Sequence, residues 1–154
     1  MITEKHIGKK VWLKGSDGTI KDKTPFIVKS VKDGKDCNDW CNHCTIENPT
    51  DGKTIDVREY DIVVALDDEV ADEYQRLANY LSDNGLYAEI LSLNDDTAIV
   101  AIEWGDWKHD HIWCEYLMSY IGYKVVDEYV TEENGSDCYS SNHYFVKENV
   151  EIAV

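Results

Sequence analysis

Several features that usually announce a function are missing from this chain. No stretch approaches the roughly 18 apolar residues of a membrane span, which argues against a helical membrane protein. Met1–Lys10 carries Lys5, Lys9 and Lys10, but no apolar run follows that could act as the core of a secretory signal, so a soluble, cytoplasmic protein is expected. There is no phosphate-cradling glycine loop, no nucleophile elbow and no Ser/His/Asp arrangement in a recognisable local context, so an enzyme is the minority reading. The cysteines do not make a disulfide framework. They number five, and three of them fall within eight residues, a pattern that suits reduced thiols or a metal site.

Basic residues are scarce in one half only. Residues 1–66 hold 11 Lys+Arg and 11 Asp+Glu, whereas residues 67–154 hold 4 Lys+Arg (Arg76, Lys108, Lys124, Lys147) against 20 Asp+Glu. The formal charge of −16 therefore belongs to the second half. A disordered acidic tail would be poor in aromatics, but this chain has 10 Tyr and 5 Trp, so the acid is expected on a folded surface. Such a surface repels nucleic acid and anionic membrane and attracts basic proteins.

At 154 residues the chain fits one domain or two small ones. In residues 1–66, short strands are expected at Lys9–Lys14, Pro25–Val31, Thr45–Glu47, Thr54–Val57 and Ile62–Leu66, with turns at Gly15–Gly18, Asp33-Gly34 and Pro49–Gly52. Strands at this spacing suggest a small N-terminal SH3-like β-barrel, a neutral module. From Asp67 the period becomes helical. Val70, Tyr74, Leu77, Ala78 and Leu81 share a face, with Asp67-Asp68-Glu69 expected in the first turn and Asn84-Gly85 at the stop. Leu86–Leu93 and Thr97–Trp104 flank the turn Asn94-Asp95-Asp96 as a hairpin. A second helix is expected from about Asp106 or Asp110 to Ile121, with Ile112, Trp113, Tyr116, Leu117 and Tyr120 as its apolar stripe. Tyr123–Thr131 and Asn142–Lys147 read as strands joined by a polar loop at Glu132–Ser141, and Asn149–Val154 as a short edge strand or a frayed end. Residues 67–154 thus spell αββαββ, an acidic α+β domain whose four-stranded antiparallel sheet carries both helices on one face. It is ferredoxin-like if Ile62–Leu66 joins the sheet.

Two clusters have metal-ligand character. Cys37, Cys41, His43 and Cys44 could share one tetrahedral zinc. The plainer reading is that no metal binds and that Cys44 and Ile46 simply face inward from a strand. His109, His111 and Cys114 lie at the start of the second helix, where positions 109 and 111 point about 200° apart, and solvent-facing histidines are the expectation there. The pairs Asp95-Asp96, Asp127-Glu128 and Glu132-Glu133 could serve acid–base chemistry, although neighbouring acids arise by chance among 20. Trp104 and Trp107, set among Glu103, Asp106 and Asp110, either cap the core or anchor an Arg-rich partner.

These observations favour a binding protein without a cofactor over a catalyst. Its partner would be a basic nucleic-acid-binding protein, a nuclease or a CRISPR- or restriction-type effector, whose basic site the acidic half occupies as a DNA mimic. The contact residues would be Asp95, Asp96, Glu103, Trp104, Asp106, Trp107, Asp110, Asp127, Glu128, Glu132 and Glu133. In size and charge the chain is similar to phage antirestriction and anti-CRISPR proteins. The competing readings are a zinc-binding adaptor acting through residues 1–66 and a small metal- or carboxylate-dependent enzyme.

Overall fold

The computed structural model describes residues 2–15, 17–20, 23–133 and 138–148, with the backbone alone at 106–108. The protein is α+β, and the described residues form two antiparallel sheets and two α-helices. It divides into two compact units, Met1–Ala71 with Asp83–Gly85, and Asp72–Ser82 with Leu86–Val154. No described helix is long and apolar enough to cross a membrane.

The first unit is a five-stranded sheet of β1 (Lys10–Leu13), β2 (Phe26–Lys32), β3 (His43–Glu47), β4 (Thr54–Arg58) and β5 (Ile62–Val64). The strand order is β4-β3-β2-β1-β5. The alternation of β3 puts Cys44 and Ile46 inward, where they meet Val11, Val28, Ile62 and Val64 in one apolar core. Among the described residues no ladder joins β4 to β5, so the sheet is open and the expected barrel is not closed. Because β5 pairs with β1, it does not extend the second sheet. Asn84 holds the other edge of β5, accepting from Val64 N at 2.8 Å and donating to Val64 O at 2.9 Å.

The second unit contains α1 (Glu73–Asp83), β6 (Glu89–Leu93), β7 (Thr97–Asp106), α2 (Ile112–Tyr120), β8 (Tyr123–Glu133) and β9 (Cys138–Lys147). Its sheet order is β6-β7-β9-β8. Helix α1 starts later than the acidic triplet suggests. Asp67 makes its own turn, accepting from Glu69 N through its carboxylate and from Val70 N through its carbonyl, and Asp72 is the cap, with its carboxylate on Gln75 N. Short acidic side chains that bond to nearby backbone compete with the helix, and here they displace its start to residue 73.

The buried residues of α2 are Cys114, Leu117, Met118 and Tyr120, while Ile112 and Tyr116 are exposed. The stripe expected from the large apolar residues is therefore rotated. A buried series of His111, Cys114 and Met118 is continuous at helical spacing only when histidine and cysteine are counted as interior residues. The β6–β7 hairpin turns at Asn94, whose side chain accepts from Thr97 N, Thr97 Oγ1 and Asp96 N. Strands β8 and β9 run past the expected ends, so Glu132 and Glu133 are strand residues opposite Ser140 and Tyr139 rather than part of a loop. Residues 149–154, read from the sequence as an edge strand or frayed end, lie outside the described residues.

Candidate functional site

The chemistry of the second unit gathers where β7 meets α2, and two irregularities create it. Between Ile102 and Gly105 the β7–β9 register slips, so that Glu103 and Trp104 on β7 oppose the single residue Ser140 on β9. This bulge carries Trp104 in a left-handed conformation (φ 52°), with its N–H on Ser140 Oγ at 2.9 Å. A π-helical turn, Trp107–His111, follows directly and leads into α2. A Cβ at Gly105 would lie 2.5 Å from Ile102 Cγ2 and 3.0 Å from Asp110 Cβ, so only glycine fits under this turn. The turn points His111 into the unit.

His111 exposes none of its surface, contrary to the solvent-facing position expected, whereas His109 is exposed. His111 Nε2 lies 3.0 Å from both Gly105 O and Tyr139 O. Its Nδ1 is 2.7 Å from Ser141 Oγ and 3.1 Å from His143 Nε2, and Ser141 Oγ is 2.8 Å from that same Nε2. Ser141 and His143 sit two apart on β9 and therefore share its inner face with Phe145.

Beyond the histidines are two carboxylates. Glu115 is one helical turn after His111, and Glu128 is the register partner of His143 on β8. Nδ1 of the fully buried His143 is 3.8 Å from Glu115 Oε1 and 3.7 Å from Glu128 Oε2. These would be ion pairs only with a protonated imidazole. Burial, helped by the neighbouring His111, holds His143 down at about 4, so its ring is neutral near pH 7. Burial likewise raises Glu115 to about 7, assisted by the charge of Glu128 and a carboxyl–carboxyl hydrogen bond with it. The Glu115 and Glu128 side chains keep 30% and 35% of their surface, so the group is open to solvent on its carboxylate side. Next to it Cys114 is buried, and desolvation with the charge of Glu115 pushes its thiol up to about 12.

The acids chosen from sequence as partner contacts fall in different places. Asp95 and Asp96 are exposed on the β6–β7 turn, and Glu103 and Trp104 (43% exposed) on the bulge, so Trp104 does not cap a core. The side chains of Asp106 and Trp107 lie outside the described residues, and Asp110 is half-buried against Gly105. Asp127, Glu128, Glu132 and Glu133 line β8, which is exposed from Val126 to Glu133. Between these acids Val126, Tyr129 and Val130 are exposed, and Tyr129 donates to Asp127 Oδ2 at 2.6 Å and packs edge-on against Tyr144.

In the first unit the cysteine run does not converge as a set of four. Cys41 and His43 come together with Asp39, their donor atoms lying within 4.8 Å of one another, but the group takes in neither Cys37 nor Cys44. Cys44 is in the core, where burial pushes its thiol up to about 11. His43 Nε2 is 2.7 Å from Asp39 Oδ2, and the Arg58 guanidinium lies 3.2 Å from that same oxygen. The hydrogen bond from His43, together with that from Trp40 N–H and the charge of Arg58, keeps the Asp39 carboxyl below its ordinary range. A cation already occupies the place a metal would take on Asp39.

No protein-family model, curated protein or solved structure matches the chain.

Proposed function

We propose that the protein is an acidic binding protein that inhibits or regulates a nucleic-acid-handling protein, a nuclease or a CRISPR- or restriction-type effector, by occupying its basic site in place of DNA or RNA. The observation that carries this reading is strand β8. Among the described residues its one ladder partner is β9, and along its exposed length the carboxylate pairs Asp127-Glu128 and Glu132-Glu133 are interspersed with Val126, Tyr129 and Val130. A long edge strand is a template for pairing, and the acids and bulges of β8 guard it against its own copy while leaving it open to a basic partner. Its acids select a basic partner, and its apolar side chains supply burial once the partner is seated. Trp104 and Glu103 extend the same chemistry onto the bulge, and Asp95 and Asp96 onto the turn.

Such a function needs a stiff platform behind the docking surface. Tyr80 on α1 donates to Leu117 O on α2 at 2.6 Å, which supports both helices lying on one face of the sheet in a ferredoxin-like layering. The first unit, of SH3-like size and neutral over residues 1–66, would supply a second contact. A zinc-binding adaptor acting through the first unit has the convergence of Cys41, His43 and Asp39 in its favour. The contact of Arg58 with Asp39 weighs against it.

The test is affinity capture from host lysate at physiological salt with the wild type and with Asp127→Lys/Glu132→Lys/Glu133→Lys. The proposal expects a stoichiometric nucleic-acid-binding protein that salt elutes, that added DNA or RNA displaces, and that the triple variant fails to hold. A partner indifferent to nucleic acid and to charge reversal would refute it.

A further inference from the structure

Three Lewis bases converge in the second unit from three separate elements, Glu115 from α2, Glu128 from β8 and His143 from β9. We propose that they form a binding site for a divalent first-row transition-metal ion, held by one oxygen of each carboxylate and by Nδ1 of His143. The inference does not rest on the docking role.

The polarity of the hydrogen bonds behind His143 carries the argument. His111 Nε2 faces the carbonyl oxygens of Gly105 and Tyr139, which only accept, so this nitrogen bears the hydrogen. In the neutral ring Nδ1 of His111 is then an acceptor. It forms a triangle with Ser141 Oγ and His143 Nε2, whose sides are 2.7, 2.8 and 3.1 Å. The serine hydroxyl supplies one hydrogen to this triangle, donating to His111 Nδ1. A second comes from His143 Nε2–H, which donates to Ser141 Oγ. The opposite assignment would set three lone pairs around a single hydrogen in a fully buried place, which is costly.

With its hydrogen on Nε2, His143 presents Nδ1 as a lone pair toward Glu128 Oε2 at 3.7 Å and Glu115 Oε1 at 3.8 Å. Two ionised carboxylates and a lone pair repel one another at that separation, a repulsion that in the metal-free protein is relieved by the hydrogen bond between the Glu115 and Glu128 carboxyls. A divalent cation turns the repulsion into coordination, and the two carboxylates cancel its charge. The three donor atoms lie within 4.8 Å of one another. Tetrahedral zinc, with bonds of about 2.0–2.1 Å, sets its ligand atoms roughly 3.3 Å apart, so closure asks only for a small inward swing of two partly exposed glutamates.

The arrangement behind the site is what a ligating imidazole needs. Its second nitrogen is held by a hydrogen bond that fixes both tautomer and ring orientation, and the holder, Ser141, is itself fixed by His111. The donor set also selects the ion. One imidazole with two carboxylates suits zinc, manganese or ferrous iron, whereas magnesium and calcium take all-oxygen shells. Three protein ligands leave coordination positions open to water or to a donor atom of a bound molecule.

The full-length protein, stripped with chelator, is titrated with zinc chloride by calorimetry in millimolar magnesium, which saturates the acidic surface. One equivalent of zinc should bind and raise the unfolding temperature. Glu115→Gln and Glu128→Gln should each weaken that binding at least about tenfold while the circular dichroism spectrum is retained, and Cys41→Ser should leave it unchanged. Glu128 is exposed on an edge strand, so its amide variant keeps the test valid should Glu115→Gln perturb α2. The proposal is overturned if no stoichiometric zinc binds above the magnesium background, if both glutamine variants bind as the wild type does, or if Cys41→Ser alone abolishes binding.

Discussion

His111 and His143, both fully buried, meet with Nδ1 of the first 3.1 Å from Nε2 of the second and their ring centroids 5.3 Å apart. Ser141 Oγ, within 2.8 Å of both, donates to His111 Nδ1 and accepts from His143 Nε2, which ties the two rings together. Ser141→Ala keeps the volume of the side chain nearly unchanged but removes both serine hydrogen bonds, leaving the ring nitrogens only their longer 3.1 Å contact with each other. Losing a buried hydrogen bond typically costs about 0.5–1.5 kcal/mol. The loss should be seen as a lower urea midpoint with an unchanged m-value. Metal affinity measured on the same variant should fall about 10–100-fold, the usual effect of removing an orienting partner of a ligand.

Gly105 sits where the β7 bulge runs into the π-helical turn, and a methyl group there would meet Ile102 and Asp110 at 2.5 and 3.0 Å. Gly105→Ala should destabilise the second unit by about 1–3 kcal/mol, the usual range for overpacking. Because the same turn holds His111 beneath Gly105 O, the imidazole resonances of His111 and His143 should shift in NMR spectra, while those of His43 and His6 in the first unit stay in place.

Much of this architecture is legible in the sequence. Val11 alternating with Leu13, the turn residues around Gly34 and Gly52, and Asn94-Asp95-Asp96 between two apolar runs mark strands and turns that the structure contains. The site is legible only in parts. His111 and Glu115 lie one helical turn apart, and Ser141 and His143 lie two apart on a strand, so each pair could be read locally as sharing a face. Their meeting could not be read. It depends on register slips between Ile102 and Gly105, between Val125 and Asp127, and between Val130 and Glu132, and each extra residue moves every later side chain to the other face. The first of these slips and the π-helical turn also bury His111, which a regular helix starting near Asp106 would not specify. The buried series 111, 114 and 118 is made of histidine, cysteine and methionine, so no stripe of large apolar residues marks it.

In the first unit His6 is buried, with Nδ1 accepting from Thr3 N at 3.0 Å and Nε2 3.6 Å from Asp83 Oδ1. Burial lowers its pKa below the ordinary 6.5, and the opposing pull of Asp83 is smaller. The unfolded chain therefore binds the proton more readily than the folded one. The stability that His6 contributes is complete above pH 6.5 and is lost as pH falls below that value toward the folded pKa. Thermal unfolding between pH 8 and pH 5 should show this loss in the wild type and a flatter profile in His6→Gln. His143 and Glu115 of the second unit, held at about 4 and about 7, also act in this range, but they are common to both proteins, so the difference between the two profiles reports His6.

All five cysteines are free thiols, but their surroundings differ. Cys44 and Cys114 are buried and pushed up to about 11 and about 12, so neither supplies thiolate near neutrality. Cys37 and Cys138 are partly exposed. Ellman's reagent at pH 8 should modify Cys37 and Cys138 rapidly, and Cys44 and Cys114 only in denaturant. Mass mapping of the labelled peptides would identify them, and rapid labelling of Cys114 would contradict its burial between α2 and the sheet.

The acids of β8 have a second consequence that separates a docking role from simple solubility. An exposed edge carrying Val126, Tyr129 and Val130 invites pairing with a second copy of itself, and like charges on facing strands oppose it. Replacing Asp127, Glu132 and Glu133 by their amides keeps the shape of the strand and removes that opposition. Sedimentation velocity should then show self-association that the wild type lacks at low salt, and high salt should move the wild type in the same direction by screening. If the amide variant self-associates but, held dilute as monomer, captures the same partner with the same affinity, the acids only keep the edge apart and docking through them is wrong. The expected result is loss of both, because the carboxylates that repel another copy of this strand are those that attract a basic surface.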